Sequence, residues 1–320
     1  MGDCLQKAGA KQIKKGVLAM NKIMRCITKD GKFNAIAIDS GDMVHVMQEV
    51  HHTSPVATAA LGRLLTAASI MGTQLKEAKA SVMLKEEGGG PLGTLVAISD
   101  SNGNCRASVT NPEVELPLNA NGKLDVGTAV GTNGLLVVIK KPPQGEPYLG
   151  QSRLVSGEIA EDITHYYATS EQIPTVCSLG VLVDKEDHKV LLAGGLLIQA
   201  LPDADDAALE RLEQNIKDLP SVTTMLAQGL SLKEICEKAL SGFEIEVLDE
   251  YEVNYACNCS MDKVMQALAG LPAQDLTEMA RAEGKIEVKC EYCGHNYEVS
   301  PSDITFLAKK AQQKEAENQA

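Results

Sequence analysis

The amino-acid sequence predicts an α+β fold in three parts: a β-rich N-terminal domain with packed helices, a helical linker, and a small cysteine-containing C-terminal domain. The 320 residues exceed the roughly 100–200 residues that one domain usually needs. Short β-rich runs cluster between residues 80 and 201, with helices mostly outside them, which favours α+β over alternating βαβ units. At Pro202 the composition changes and becomes acidic.

The chain begins with a predicted extension followed by a β-hairpin. Residues 1–19 show no reliable strand or helix pattern and are expected to be disordered, with Met20 as an alternative start of translation. The alternating segments Ile23 to Thr28 and Phe33 to Ile38 flank the turn signal Asp30-Gly31. This arrangement predicts two paired strands.

The N-terminal domain, assigned to residues 20–202, combines an apolar helix with a series of strands. Ser54-Pro55 is a helix-start signal, and the following segment is apolar almost all round, which predicts a buried helix. A further helix is expected near residues 158–170. Turn residues separate the predicted strands, which are residues 81–84, 94–99, 106–110, 135–140, 149–154, 176–183 and 190–199.

An acidic segment, residues 203–252, follows this domain. It holds 13 acidic and 4 basic side chains and so carries most of the chain's net charge of −13. One predicted helix ends before Pro220, a second begins at Ser221, and a third begins with the capping box Ser231 to Glu234. Narrow apolar stripes under many like charges predict a helical linker that is metastable.

The last unit is assigned to residues 253–308, with a polar tail at 309–320. The sequence predicts a cysteine-rich strand, two short helices at about 261–269 and 273–282, a hairpin from Lys285 to Val299, and a helix that begins at Ser300-Pro301. A unit of this size has little apolar core of its own.

Four cysteines of this unit form two close pairs, Cys257 with Cys259 and Cys290 with Cys293. The second pair, in the sequence CEYCG, resembles a zinc knuckle, a tight turn that directs two thiolates at one metal. Two such pairs supply four soft ligands, and Zn²⁺ accepts four thiolates in a tetrahedron. The sequence therefore predicts one closed, structural four-cysteine zinc site per chain.

The C-x-C spacing adds a redox expectation. A disulfide between Cys257 and Cys259 closes only a small, strained ring, and strained disulfides have more oxidising potentials. Thiolates are also the form of cysteine that attacks peroxide. Because structural zinc contributes ~10–16 kcal/mol to the folding of small domains, metal loss on oxidation is expected to unfold the unit and then release the acidic linker.

Composition and motifs disfavour several functional classes. The net charge of −13 and the low aromatic content of 7 Tyr, 3 Phe and 0 Trp disfavour nucleic acid and anionic membranes as partners. The sequence has no G-x-x-x-x-G-K-[ST] loop for ATP. Gly88, Gly90 and Gly93 fit G-x-G-x-x-G but precede a strand, so a hairpin turn is expected. With neither a signal sequence nor a membrane span recognised, the protein is expected to be cytoplasmic.

Other chemically active residues lack partners at a useful spacing. His51 and His52 are expected to be exposed loop residues, and His295 is expected to neighbour the zinc site without binding it. The isolated cysteines are expected to be small core or surface residues: Cys4, Cys26, Cys105, Cys177 and Cys236.

The cysteine pairs and three other segments resemble those of a known family. The segments are CNCS at 257–260, CEYC at 290–293 with Tyr297 following, SEQIPT at 170–175, AGGLLIQ at 193–199 and GTAVGTNG at 127–134. Over about Met20 to Leu307 the chain resembles the 33-kilodalton chaperonins, a family of redox-regulated heat-shock chaperones.

This resemblance implies a cytoplasmic holdase that uses no ATP and is not an enzyme. It implies that Cys257, Cys259, Cys290 and Cys293 bind zinc in the idle, reduced state, and that oxidation forms the disulfides Cys257–Cys259 and Cys290–Cys293. It further implies that zinc release disorders the C-terminal unit and the linker. The oxidised protein is then expected to form a homodimer that binds unfolding client proteins and prevents their aggregation.

Two alternatives remain open at this point. A zinc-ribbon module that binds protein or nucleic acid predicts basic and aromatic residues around the knuckles, whereas residues 253–320 hold 10 acidic and 7 basic side chains. A thiol–disulfide oxidoreductase using Cys290 and Cys293 predicts a helix directly after the C-x-x-C motif, where Gly294 and a β-like segment stand instead.

Overall fold

The computed structural model describes residues 21–281 and 284–319, so the predicted extension 1–19 and Met20 lie outside the described residues. The strands are β1 Lys22–Thr28, β2 Phe33–Asp39, β3 Ser81–Glu87, β4 Thr94–Asp100, β5 Cys105–Val109, β6 Leu135–Lys141, β7 Tyr148–Arg153, β8 Thr175–Val183, β9 Val190–Ala200, β10 Ile245–Glu252, β11 Ile286–Lys289 and β12 Asn296–Val299. The helices are α1 Gly41–His51, α2 Pro55–Gly72, α3 Val126–Val130, α4 Ala160–Tyr166, α5 Asp206–Lys217, α6 Val222–Ala227, α7 Leu232–Ala239, α8 Met261–Leu268, α9 Ala273–Ala280 and α10 Pro301–Gln319. These elements confirm the α+β class.

Two five-stranded antiparallel sheets are built on the N-terminal domain, and one strand of the first sheet, β10, comes from the linker. The first has the order β10-β1-β2-β9-β8 and the second the order β5-β4-β3-β6-β7. The predicted hairpin is confirmed as β1 and β2. The predicted glycine turn is confirmed as the connection from β3 to β4, where a Cβ on Gly90 would lie 2.4 Å from the Ala129 carbonyl oxygen. Glycine is needed there because two backbones approach closely.

Helix α2 lies in the core and packs against strands of both sheets. Its start matches the prediction, because the Ser54 side chain accepts a hydrogen bond from the Ala57 N–H and Pro55 occupies the first turn. Within the part of the chain that the structure describes, α2 is the helix long and apolar enough to cross a membrane, but 89% of that stretch is buried inside the protein. A helix that is apolar all round is the expected centre of such a core.

A second apolar cluster lies on the opposite face of the first sheet. On β1, Ile23 faces the core around α2, while Met24 and Cys26 face the linker helices. Buried side chains of α5, α6 and α7 cover this face, among them Leu212, Met225 and Ile235, and the capping box at Ser231 is present. The linker therefore shields an apolar sheet surface.

The sequence predicts a linker made of helices alone, and this prediction is wrong for its last eight residues. They form the edge strand β10, which pairs with β1. Arg25 forms an ion pair with Asp249, and Lys22 forms one with Glu250 at 3.2 Å. The acidic residues of β10 are thus neutralised in part by cations of β1, which lies near the start of the chain. A local pattern cannot show such partners.

The C-terminal unit has its own small apolar cluster, formed by α8, α9, α10 and the hairpin of β11 and β12. The two short helices and the hairpin are as the sequence predicts. The polar tail from residue 309 is not separate, however, since α10 continues through it to Gln319. Ala311 packs against the cluster, which gives this polar segment an anchor.

A buried carboxyl pair gives the N-terminal domain a predictable pH dependence. Glu86 is fully buried, and among the described residues neither of its carboxyl oxygens has a hydrogen-bond partner. Burial, and then the nearby Asp162, raise the pKa of Glu86 well above its usual value. The folded state therefore favours the protonated carboxyl. Its contribution to the free energy of unfolding is fully present below the unfolded pKa of about 4.3 and is lost as the pH rises from there through the folded pKa.

We therefore expect the substitution Glu86→Gln to remove this dependence. The stability difference between the variant and the parent protein should grow with pH by up to ~1.4 kcal/mol per pH unit while Glu86 titrates. Denaturant midpoints measured from about pH 5 to pH 9 test this. A constant difference across that range would show that Glu86 does not titrate with folding.

Candidate metal centre

Four cysteine sulfurs converge at one point of the C-terminal unit. The Sγ atoms of Cys257, Cys259, Cys290 and Cys293 all lie within 4.8 Å of one another. The Cys257–Cys290 distance is 3.8 Å and the Cys259–Cys293 distance is 3.4 Å. At a Zn–S bond length of about 2.3 Å, the corners of a tetrahedron lie ~3.8 Å apart. The four thiols therefore fit a tetrahedral metal of the size and softness of Zn²⁺.

Cys290 and Cys293 lie in the turn of the hairpin formed by β11 and β12. The Gly294 N–H donates to the Cys290 carbonyl at 2.9 Å, and the Cys290 N–H donates to the His295 carbonyl at 2.9 Å. Gly294 has φ of +71°, a left-handed conformation that favours glycine. This is the tight turn that the sequence predicts, and a strand follows it. The helix that an oxidoreductase C-x-x-C motif requires is not at this position.

Cys257 and Cys259 follow a segment that extends the second sheet. The Cys105 N–H donates to the Asn254 carbonyl at 2.9 Å, and the Ala256 N–H donates to the Cys105 carbonyl at 2.8 Å. Here the sequence predicts a strand, whereas the structure has one isolated bridge between Cys105 and Tyr255. A short extended segment beside β5 is sufficient to bring the first cysteine pair to the hairpin turn.

The cluster holds its thiols in unequal electrostatic environments. The Tyr297 hydroxyl donates to the Cys259 Sγ at 3.0 Å and lowers the pKa of Cys259 to about 7. Burial raises the pKa of Cys257 to about 12 and also raises that of Cys293. Cys259 therefore ionises more readily than Cys257 or Cys293, and the thiolate is the form of cysteine that binds metal and attacks peroxide.

The cysteine turn contacts the N-terminal domain through two tyrosines. The Tyr255 hydroxyl lies 3.2 Å from the His51 Nε2 and 3.2 Å from the Ala107 carbonyl oxygen, and it also donates to the Tyr292 carbonyl. The Arg106 guanidinium lies over the Tyr292 ring at 5.3 Å. Tyr292 stands between Cys290 and Cys293 in sequence. The geometry of the cluster is thus linked directly to β5 and to the end of α1.

Removal of the Tyr255 hydroxyl should loosen this contact. In the substitution Tyr255→Phe the ring keeps its packing, but the hydrogen bonds to His51, Ala107 and Tyr292 are lost, at a cost of about 1–2 kcal/mol. We expect the reaction of the reduced cluster with a thiol reagent to become roughly five- to thirtyfold faster. The control Tyr148→Phe changes an exposed tyrosine of β7. Equal reaction rates in all three proteins would mean that the contact does not hold the cluster.

The structure corrects the expectation for one histidine. His51 is not an exposed loop residue, because it ends α1 and is half-buried against Tyr255. The sequence could not show this contact, since Tyr255 lies 204 residues away. His52 is exposed as expected, and the ring of His295 packs against Tyr297 beside the cluster.

The isolated cysteines lie where the sequence places them, in or near the core. Cys26, Cys105 and Cys236 are buried, and Cys177 is half-buried. Cys4 lies outside the described residues. The contacts of Tyr255, Tyr292 and Arg106 are the functional features that the sequence does not reveal, because they join the cysteine unit to parts of the chain that are distant in sequence.

Comparisons with known proteins place the chain in a family. The model of the Hsp33 protein family matches residues 21–300. A 33 kDa chaperonin of Agathobacter rectalis is 44% identical over 282 residues, which cover 88% of this chain and 97% of the relative. A 33 kDa chaperonin of Clostridioides difficile is 42% identical over 288 residues, which cover 90% of this chain and 98% of the relative.

A solved structure has the same fold. The crystal structure of a 33 kDa chaperonin from Thermotoga maritima matches with a TM-score of 0.83 and 35% sequence identity, and the match covers 92% of this chain and 100% of that chain. The chain therefore belongs to the Hsp33 family of 33 kDa chaperonins.

Proposed function

We propose that this protein is a redox-regulated, ATP-independent holdase of the cytoplasm. The observation that carries the proposal is the cluster of four cysteine sulfurs with tetrahedral spacing, in a chain of the Hsp33 family. Family membership supports a chaperone that is not an enzyme. The cluster supplies the element through which oxidation regulates it.

In the reduced state Cys257, Cys259, Cys290 and Cys293 hold one Zn²⁺ ion. When bound, the ion supplies a structural cross-link, with no open position for catalysis. Oxidation joins Cys257 to Cys259 and Cys290 to Cys293. Each pair of thiolates would give up two electrons to one peroxide molecule, whose O–O bond breaks, and two protons from solvent complete the two waters that form. The sulfurs of the disulfides are no longer thiolates, so the site loses its affinity for the metal.

Loss of the metal unfolds the C-terminal unit because little else stabilises it. Its apolar cluster is small and holds few fully buried side chains. Each new disulfide closes a loop of only a few residues and therefore stabilises the unit little. This small gain does not replace the ~10–16 kcal/mol that structural zinc contributes. The Tyr255 and Tyr292 contacts with the N-terminal domain are broken at the same time.

Release of the linker then exposes the binding surface. The proposed units are the chaperone domain 20–202, the linker 203–252, the redox unit 253–308 and the tail 309–320. Release of the linker helices uncovers the outer face of the first sheet, including Met24, Phe33 and Ile198. This apolar face suits segments of unfolding proteins. The acidic charge of the linker keeps it in solution once it is free.

The partners follow from this surface. Unfolding client proteins bind it, and the oxidised protein associates as a homodimer because the same face is apolar in each copy. Neither ATP, nucleic acid nor membrane takes part. The alternative, a zinc ribbon that binds nucleic acid, requires a basic surface around the turns, whereas the C-terminal unit carries more acidic than basic side chains.

The proposal is tested by an aggregation assay with a thermally unfolding client protein. The reduced, zinc-loaded protein should not suppress light scattering, and the protein treated with peroxide at raised temperature should suppress it without ATP. Addition of a thiol reductant before the treatment is the control and should prevent activation. Equal suppression by the reduced and oxidised protein would exclude redox regulation, and salt-dependent binding to nucleic acid would support the alternative.

A further inference from the structure

Two cysteines outside the metal centre meet where the linker docks onto the first sheet. Cys26 lies on β1 and Cys236 on α7, with 1% and 0% of their surface exposed. Both belong to the apolar cluster that joins the linker to the sheet, and α7 packs directly on β1 and β2. The two cysteines are far apart in the sequence, so their meeting depends on the docked linker.

The two thiols influence each other's ionisation across this interface. Cys236 lowers the pKa of Cys26, and Cys26 raises the pKa of Cys236, so Cys26 is the sulfur that ionises first. Burial opposes this lowering of the Cys26 pKa, the Ala35 backbone adds to it, and the nearby Glu237 opposes it to a smaller degree. When a thiol of lowered pKa lies beside a protonated thiol, the first can attack an oxidant as a thiolate. The second can then react with the oxidised sulfur to complete a disulfide.

We propose that Cys26 and Cys236 are a second redox pair, whose disulfide fastens α7 to β1 and thereby opposes release of the linker. The regulatory part rests on the proposed function, whereas the formation of the bond does not. The disulfide would cross-link the two elements that must separate before the apolar sheet face is exposed. Oxidation would therefore have opposite effects at the two sites: unfolding at the metal centre and retention at the linker.

The chemistry balances with peroxide as the oxidant. The Cys26 thiolate attacks one peroxide oxygen, the O–O bond breaks, and a sulfenic acid forms as water leaves with the Cys26 proton. The Cys236 sulfur then attacks the Cys26 sulfur and displaces a second water. The two thiols lose two electrons and two protons, and one peroxide becomes two waters.

Burial sets the order of events. Both sulfurs are shielded from solvent while the linker is docked, whereas the four metal-centre cysteines are half-buried. Peroxide therefore reaches the pair when α7 separates transiently from the sheet, and the disulfide forms when α7 docks again. When oxidant is present without lasting unfolding stress, the disulfide would therefore reduce the fraction of molecules that release the linker.

The test compares the parent protein with Cys26→Ser and Cys236→Ser, and uses Cys177→Ser as a matched control on β8. Each reduced, zinc-loaded protein is treated with peroxide at several temperatures and digested without reduction. Mass spectrometry should find a peptide linking Cys26 to Cys236 in the parent protein and in Cys177→Ser. Limited proteolysis of residues 203–244 then measures release of the linker.

We expect oxidation to accelerate linker cleavage about tenfold more in the two pair variants than in the parent protein, because the cross-link is absent. The ratio of oxidised to reduced rates is taken for each variant, so that any effect of the substitution on docking cancels. Absence of the linked peptide at every temperature, or equal ratios in all four proteins, would overturn the proposal. If the peptide forms but client aggregation is never suppressed, the proposed function fails and the cross-link stands.

Discussion

The substitution Cys290→Ser should abolish the folded state of the C-terminal unit and leave the protein active without oxidant. One of four ligands is lost, and the remaining thiols no longer complete a closed shell around Zn²⁺. Because structural zinc contributes ~10–16 kcal/mol to such small domains, the apolar cluster of this unit cannot compensate. We expect zinc content below one tenth of a molar equivalent, roughly a tenfold loss, and rapid proteolysis of residues 253–308.

Cys177→Ser provides the control, since this cysteine is half-buried on β8, away from the cluster. It should keep one zinc per chain and remain idle when reduced. Client aggregation assays with both reduced variants then separate metal loss from the general effect of a cysteine substitution. A Cys290→Ser protein that keeps a folded, protease-resistant C-terminal unit would contradict the proposed role of the metal.

The substitution Ile235→Asp should release the linker while the metal stays bound. Ile235 is fully buried between α7 and the outer face of the first sheet. A carboxylate at this position loses the apolar contact and must be desolvated, at a cost of about 3–5 kcal/mol to docking. We expect suppression of client aggregation by the reduced protein, with one zinc per chain retained.

Ser241→Asp is the matched control, as it adds the same charge at an exposed position just after α7. It should leave the reduced protein idle. Binding of an apolar dye, measured for both variants and the parent protein, reports exposure of the sheet face. A dye-binding but inactive Ile235→Asp protein would mean that clients bind elsewhere.

The elements that depend on local patterns are those that the sequence predicts well. The hairpin at Asp30-Gly31, the buried helix after Ser54 and the capping box at Ser231 each carry their signal within a few residues. The cysteine turn is of the same kind, because Gly294 and the C-x-x-C spacing define it locally. In such cases turn and capping chemistry determines the structure directly.

Features that depend on distant partners are not visible in the sequence. The many acidic residues of β10 disfavour a strand prediction, because the cations that form ion pairs with them lie on the distant strand β1. The helical continuation of the polar tail depends on packing of Ala311. Likewise, His51 is half-buried only because Tyr255 reaches it from a distant part of the chain. Each of these requires the tertiary fold to be known first.

In the proposed function the thiols of the metal centre hold the binding surface closed, and a single time course of oxidation tests this role. Zinc release and suppression of client aggregation are measured in the same sample during treatment with peroxide at raised temperature, with mass spectrometry of the cysteine pairs. We expect the disulfides Cys257–Cys259 and Cys290–Cys293 to form, zinc to be released as they form, and activity to rise with zinc release or after it. Full activity while zinc remains bound to four reduced cysteines would contradict it.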